Sequence, residues 1–337
     1  MRAFVITGPW RGEVQEAPEP EPGPGEVVVE VERAGVCGTD AELFSGEMPY
    51  YRDGDAVHPL RIGHEWSGVV ITVGADADPA LYGRRVTGDT MLGCGKCDRC
   101  AAGRKHLCDD RYEIGLRRGW PGALAERLSV PAWALRRLPD SVDAAAGALV
   151  EPGGNAVRAF QAAQVVRGER LLVIGPGTIG LLVALIARAH GVEAHLLGAT
   201  AASLRFARSL GLEHAWTEES LPRLLFDAVV DASNTTEPPA RALELAEPGR
   251  RVVLIGLSEQ PARIDSRTIV FKDLTVVGIL GASAGLSGAI ELYADGRVDP
   301  RPLVAATVGL EEVAGVLSGA RLAEWGDAPK IHVDPRR

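Results

Sequence analysis

No cysteine of this 337-residue chain is left over for a disulfide. Cys37 stands alone in Gly-Val-Cys-Gly-Thr-Asp, and Cys94, Cys97, Cys100 and Cys108 share one short lobe. That usage excludes a disulfide-built secreted scaffold and predicts thiols kept in a reducing cytoplasm, where zinc is the better partner. Basic charge is also scarce. Against 45 Asp and Glu there are 36 Lys and Arg, a formal net charge of -9. Nucleic-acid and anionic-membrane partners, which need clustered cations and counterion release, are thereby excluded. Long apolar spans are missing too. Leu171 to Ala187 carries no charge, but its 17 residues are interrupted by Gly175-Pro176-Gly177 and fall short of the about 20 that cross a bilayer. Met1 to Thr7 reads as a first strand and not as a signal peptide. No internal repeat and no low-complexity segment is present.

What remains is the pattern of a soluble two-domain enzyme. The N-terminal half is β-rich: Glu26 to Arg33 alternates apolar and polar residues, and Trp66 to Val73 is an apolar run ending at Gly74. From Arg170 the pattern changes to strands at Leu171 to Ile174, Ala194 to Leu197, Ala228 to Val230 and Val252 to Ile255. Helical segments such as Ile179 to His190 and Ala201 to Leu210 lie between them, which predicts an α/β, doubly wound parallel sheet. After Ala284 the expected order is helix, short strand near Leu303 to Val308, and helix from Leu310 to Ala320.

The lobe spacing C-x2-C-x2-C-x7-C suits four thiolates around one tetrahedral zinc with no open position, a structural site. His106, inside the lobe, is then expected to be a solvated loop residue. Cys37 needs another explanation. Gly63-His64-Glu65 follows 27 residues after it, so Cys37, His64 and a carboxylate can hold a second zinc by three ligands and leave one position for substrate. His58, His190, His195, His214 and His332 are expected to be satisfied core residues. Phe44, Tyr50, Tyr51 and Trp66 fit a pocket lining or ordinary packing equally well.

Gly175-Pro176-Gly177-Thr178-Ile179-Gly180 matches G-x-G-x-x-G between an apolar strand and an apolar helix, the context of a dinucleotide-binding turn. The carboxylate that would bind an adenosine ribose belongs at the end of the next strand, where the chain has Gly198-Ala199-Thr200 instead. A 2′-phosphate meets no repulsion there, and Thr200, Ser203 and Arg205 can offer donors. NADP is therefore the expected preference, with NAD also accommodated.

Together these pieces resemble the zinc-dependent medium-chain dehydrogenase/reductase family over nearly the whole chain. The signature G-H-E-x2-G-x5-G is present as Gly63-His64-Glu65-Trp66-Ser67-Gly68 and Gly74, the cysteine lobe is complete, and Glu151-Pro152 matches the acidic ligand position of polyol-type members. Cys37-Gly38-Thr39-Asp40 followed by Glu42 is similar to the glucose and polyol branches. The resemblance implies a GroES-like catalytic domain at 1–153 and 289–337 with two zinc sites, and a Rossmann domain at 154–288. It implies Cys37 and His64 as fixed ligands of a catalytic zinc, Glu65 or Glu151 as the third, and Thr39 as the hydroxyl that takes the substrate proton. Thiolate, imidazole and carboxylate partly neutralise the ion, which still polarises the substrate oxygen while hydride leaves to the nicotinamide. The chain departs from the family at Ala41 and Glu42, where a relay His often follows the Cys, and at Pro152-Gly153-Gly154-Asn155. The expected activity interconverts a secondary alcohol, a polyol, sugar or cyclitol-like compound, with its ketone, in a homodimer or homotetramer. Its rivals are reduction of simple ketones or aldehydes and a non-catalytic nucleotide-binding relative.

Overall fold

A computed structural model describes all 337 residues. The chain forms two compact units: Met1–Glu151 with Leu303–Gly326 and Lys330–Arg337, and Pro152–Pro302 with Asp327–Pro329. The return to the first unit, expected at 289, comes at 303. Packing explains the shift. Helix 286–294 closes on Gly153 and Gly154, where added Cβ atoms would stand 2.2 Å from the Tyr293 hydroxyl and 3.0 Å from Ala282.

In chain order the first unit holds β1 (Arg2–Gly8), β2 (Arg11–Glu16), β3 (Glu26–Val36), α1 (Gly38–Ser45), β4 (Glu65–Val73), β5 (Arg85–Gly88), β6 (Met91–Leu92), β7 (Tyr112–Glu113), β8 (Arg127–Pro131) and β9 (Leu135–Arg137). The second begins within α2 (Val150–Ala163) and continues through β10 (Arg170–Ile174), α3 (Thr178–Ala189), β11 (Glu193–Leu197), α4 (Ala201–Ser209), β12 (His214–Trp216), β13 (Phe226–Asp231), α5 (Pro238–Leu245), β14 (Ala246–Leu254), α6 (Ser266–Phe271), β15 (Thr275–Gly278) and α7 (Leu286–Ala294). The chain then returns as β16 (Val304–Val308) and β17 (Lys330–Val333). The helix expected over 310–320 is shorter, a 3-10 turn followed by Val313–Leu317. Gly319, with φ +87, stands just beyond its end.

The first unit is a seven-stranded sheet in the order β16-β17-β3-β4-β5-β9, with β8 also on β3. Val27, Val29 and Val31 of β3 bury completely against Val70, Val86 and Leu128. Both ends of the chain therefore share one core. The second unit is a six-stranded parallel sheet in the order β12-β11-β10-β13-β14-β15. The chain starts at the centre, runs outward to β12, returns and runs outward to β15. This reversal puts a switch point at the carboxyl ends of β10 and β13, where doubly wound sheets bind ligands.

Candidate active site and metal centres

Strand register builds the first cluster. Gly35 lies opposite Glu65 across the antiparallel β3–β4 pair, so Cys37, just past β3, and His64, just before β4, arrive side by side. One ligand atom each of Cys37, His64 and Glu65 lie within 4.8 Å of one another. Cys37 occupies the N-cap of α1 and donates its backbone N–H to Asp40 Oδ2 at 2.9 Å, which fixes the start of the helix. Gly63, with φ +103, turns the chain ahead of His64, and a Cβ there would stand 2.6 Å from the Leu124 nitrogen.

The fully buried Asp40 brings Oδ1 to 3.4 Å from His64 Nδ1, which leaves Nε2 for a metal. Burial would push the imidazole down, but the Asp40 carboxylate and then Cys37 outweigh it and hold His64 well above its ordinary value. Such an anionic surrounding suits a divalent cation, and thiolate, imidazole and carboxylate are zinc donors. Thr39 is half-buried in the first turn of α1, and no hydrogen bond within the chain occupies its hydroxyl. Glu151 is buried in the first turn of α2 and does not join the cluster.

Lys330 was not legible in the sequence. Its Nζ donates to both Glu65 oxygens, at 2.8 and 2.7 Å, and to the Val36 carbonyl at 3.0 Å. Pairing of Ile331 with Val36 sets this lysine beside the strand end that leads to Cys37. Burial would lower its pKa, but Glu65 and Cys37 hold it raised. A Cβ on Gly35 would stand 2.1 Å from Glu65 Oε2, so the ion pair passes over a residue that must lack a side chain. The one sequence signal was a lysine heading the strand Lys-Ile-His-Val.

The second cluster is the cysteine lobe, whose four sulfurs lie within 4.8 Å of one another as free thiols. The Cys97 and Cys108 sulfurs are 3.7 Å apart. A tetrahedron of Zn–S bonds near 2.3 Å has edges of about 3.8 Å, so the lobe fits zinc. Backbone N–H groups of Lys96 and Cys97 bring the Cys94 thiol down to about 6, whereas burial pushes Cys100 up to about 11. His106 is buried and not solvated as expected, because its 3-10 turn (Lys105–Leu107) packs against β6.

In the second unit, Gly175, with φ +98, ends β10 and would bring a Cβ to 2.9 Å from the Ala232 carbonyl. A Cβ on Gly180 would stand 1.9 Å from the Gly175 carbonyl, whereas one on Gly177 would meet open space, with no atom beyond its chain neighbours within 4 Å. Two glycines thus close the turn, and the third leaves space ahead of the N-terminus of α3, opened by Thr178 and Ile179. Gly198 follows β11, where a Cβ would stand 2.7 Å from Pro176 Cγ. Thr200 caps α4 by accepting from Ser203 N–H at 3.2 Å. Arg205 is exposed and faces Asp327 at 3.6 Å.

The expectation of satisfied core histidines holds only at His195, because His190 and His214 are exposed and two others lack partners. His58 Nδ1 and both ring nitrogens of His332 are buried without partners. Glu193, His195 and His214 also lie within 4.8 Å, but Trp216 Nε1–H donates to His195 Nδ1 at 3.1 Å, leaving Nε2–H to donate to Glu193 at 2.7 Å. The two imidazoles stack with 13° between their planes, so their lone pairs do not converge on an ion. Trp66 and Phe44 are core residues, and Tyr50 and Tyr51 donate to Glu113 and to the Leu43 carbonyl.

Comparison with known proteins agrees with these two units. Residues 23–140 match the alcohol dehydrogenase GroES-like domain and residues 178–295 the zinc-binding dehydrogenase domain. An L-threonine 3-dehydrogenase of Streptomyces avermitilis is 33% identical over 328 residues, 93% of this chain and 94% of that protein. A zinc-binding dehydrogenase of Sinorhizobium meliloti solved with NADP superposes with a TM-score of 0.90 at 27% identity, and an Escherichia coli alcohol dehydrogenase solved with NADH does so with 0.90 at 25%. Each alignment covers 99% of both chains.

Proposed function

This chain belongs to the zinc-dependent medium-chain dehydrogenase/reductase family, and from that premise we propose that it oxidises a polar secondary alcohol to its ketone with NADP as preferred acceptor. The observation that carries the reading is the cluster of Cys37, His64 and Glu65 beside an unengaged Thr39 hydroxyl. When bound, zinc supplies Lewis acidity to the substrate oxygen and the nicotinamide supplies the hydride acceptor. Cys37, His64 and Glu65 are the ligands within reach, and Lys330 limits the freedom of Glu65 by pairing both of its oxygens. Glu151 stands as the alternative third ligand. Asp40 fixes the His64 ring, and Thr39 Oγ1 takes the proton from the substrate hydroxyl while passing its own hydroxyl proton on to water.

The cofactor preference is supported by the missing carboxylate at Gly198 and by the α4 N-terminus at Thr200 and Ser203. Arg205 serves as a donor only after leaving Asp327, an exposed contact of little energy. The lobe of Cys94, Cys97, Cys100 and Cys108 holds a second, structural zinc. A reducing cytoplasm suits five free thiols, and no helix is long and apolar enough to cross a membrane.

The working unit is a homodimer or a homotetramer. Edge strand β15 is paired on one side only, beside exposed Leu257, Val270 and Phe271. Sedimentation should give two or four times the chain mass, and the mass of one chain would refute the assembly. Turnover is tested by a screen of hexitols, cyclitols, L-threonine and simple alcohols with both nicotinamide cofactors. Metal analysis should find two zinc ions per chain, and Cys37→Ala should lose one together with activity. Retention of both by that variant would overturn the catalytic assignment.

A further inference from the structure

The switch point of the parallel sheet carries a charged group that the proposed chemistry leaves unused. Asp231 closes β13 and pairs in register with Ile174, the residue before Gly175. The next residue lies against the dinucleotide turn, since a Cβ on Gly175 would stand 2.9 Å from the Ala232 carbonyl. On the other side Gly256, just past β14, donates its N–H to the Asp231 carbonyl at 2.9 Å, and a Cβ there would stand 1.9 Å from the Ser233 carbonyl. Close-packed backbone on both sides thus fixes Asp231 at the carboxyl ends of the strands, beside the turn.

Only 2% of Asp231 is exposed. Ser233 satisfies one of its oxygens, donating its N–H to Oδ1 at 3.0 Å and its hydroxyl at 2.6 Å. Oδ2 accepts no hydrogen bond from the chain and meets no cation, yet the chain does not seal it off. Burial raises the carboxyl above its ordinary value in spite of both Ser233 bonds. A buried carboxylate with an unused oxygen is costly until a donor reaches it. With a pyrophosphate at the Gly175 turn and the adenosine side at Gly198 beyond β11, β13 on the opposite flank of β10 belongs to the nicotinamide half. The ribose of that half offers hydroxyl donors. We propose that Asp231 Oδ2 accepts a hydrogen bond from a ribose hydroxyl of the nicotinamide half, with Ser233 orienting the carboxylate. The proposal rests on the dehydrogenase reading above and adds to it a residue that binds the cofactor.

The test reads binding and not turnover, on the full chain. The probes are NADPH, whose fluorescence reports its Kd, and adenosine 2′,5′-bisphosphate, which carries the adenosine half alone and is followed by calorimetry. NADH and AMP take their places if the parent prefers NAD. Asp231→Asn keeps the shape and can hold Ser233 through its amide oxygen, but it puts an amide NH2 where Oδ2 stood. It should weaken the dinucleotide about 10-fold and leave the adenosine fragment unchanged. Asp231→Ala should weaken the dinucleotide at least as much, and Ser233→Ala, which keeps the acceptor but frees it to rotate, by less. Equal losses for dinucleotide and fragment would mean that Asp231 only shapes the turn, and an unchanged dinucleotide Kd in Asp231→Asn would mean that it touches no cofactor; either result overturns the proposal. A parent chain that binds neither dinucleotide would instead sink the dehydrogenase reading.

Discussion

Thr39 tests proton transfer at the level of one hydroxyl. Thr39→Val should lower turnover about 100-fold or more with little change in cofactor affinity, because a positioned proton acceptor contributes on that order. Thr39→Ser should retain most of the turnover. Equal losses in the two variants, read as kcat beside cofactor Kd, would mean packing and not proton transfer. Gly198 requires a more careful test, since a Cβ there meets Pro176 in the dinucleotide turn. Gly198→Asp alone would disturb the turn it is meant to probe. On a Pro176→Ala background the new carboxylate should shift preference from NADP to NAD by about 10-fold to 150-fold, from a gained ribose hydrogen bond and repulsion of the phosphate. A ratio of kcat/KM values for the two cofactors that does not move would assign the choice to another residue.

At the scale of elements, the cysteine lobe has little apolar surface of its own, and Cys94 and Cys97 are only partly buried. Its fold should therefore depend on its metal. Cys100→Ser should remove one zinc per chain and lower the thermal midpoint, with proteolysis appearing first between Gly93 and Cys108. Unchanged zinc content and midpoint would remove the structural-site assignment. The lobe was readable because its ligands are close in sequence. Strand β17 was not, because Lys330 meets Glu65 across 265 residues through a register that no local pattern encodes.

For the molecule as a whole, acid stability turns on His332. Burial first, then Lys330 and Arg33, push this imidazole down to about 3. Above the unfolded value of about 6.5 both states are neutral and the folded chain keeps its full stability. Below it the unfolded chain takes up a proton that the folded chain refuses, so stability should fall by about 1.4 kcal/mol per pH unit toward pH 3. His332→Met should reduce that slope by one proton in denaturant titrations between pH 6.5 and 4, and parallel slopes would refute the role. Residue order alone was enough for the parts whose chemistry is local: the four-cysteine lobe, the Gly175 to Gly180 turn between strand and helix, the adjacent His64 and Glu65, and the strand–helix alternation of the second unit. Those signals lie within a few residues, where spacing alone constrains geometry. Packing of the whole chain was needed to show that β17 returns to β3, that Lys330 clamps Glu65 over Gly35, that His106 is buried, and that helix 286–294 stays with the second unit. Each of these depends on strand register or on contacts between segments far apart in the chain, which no local spacing encodes.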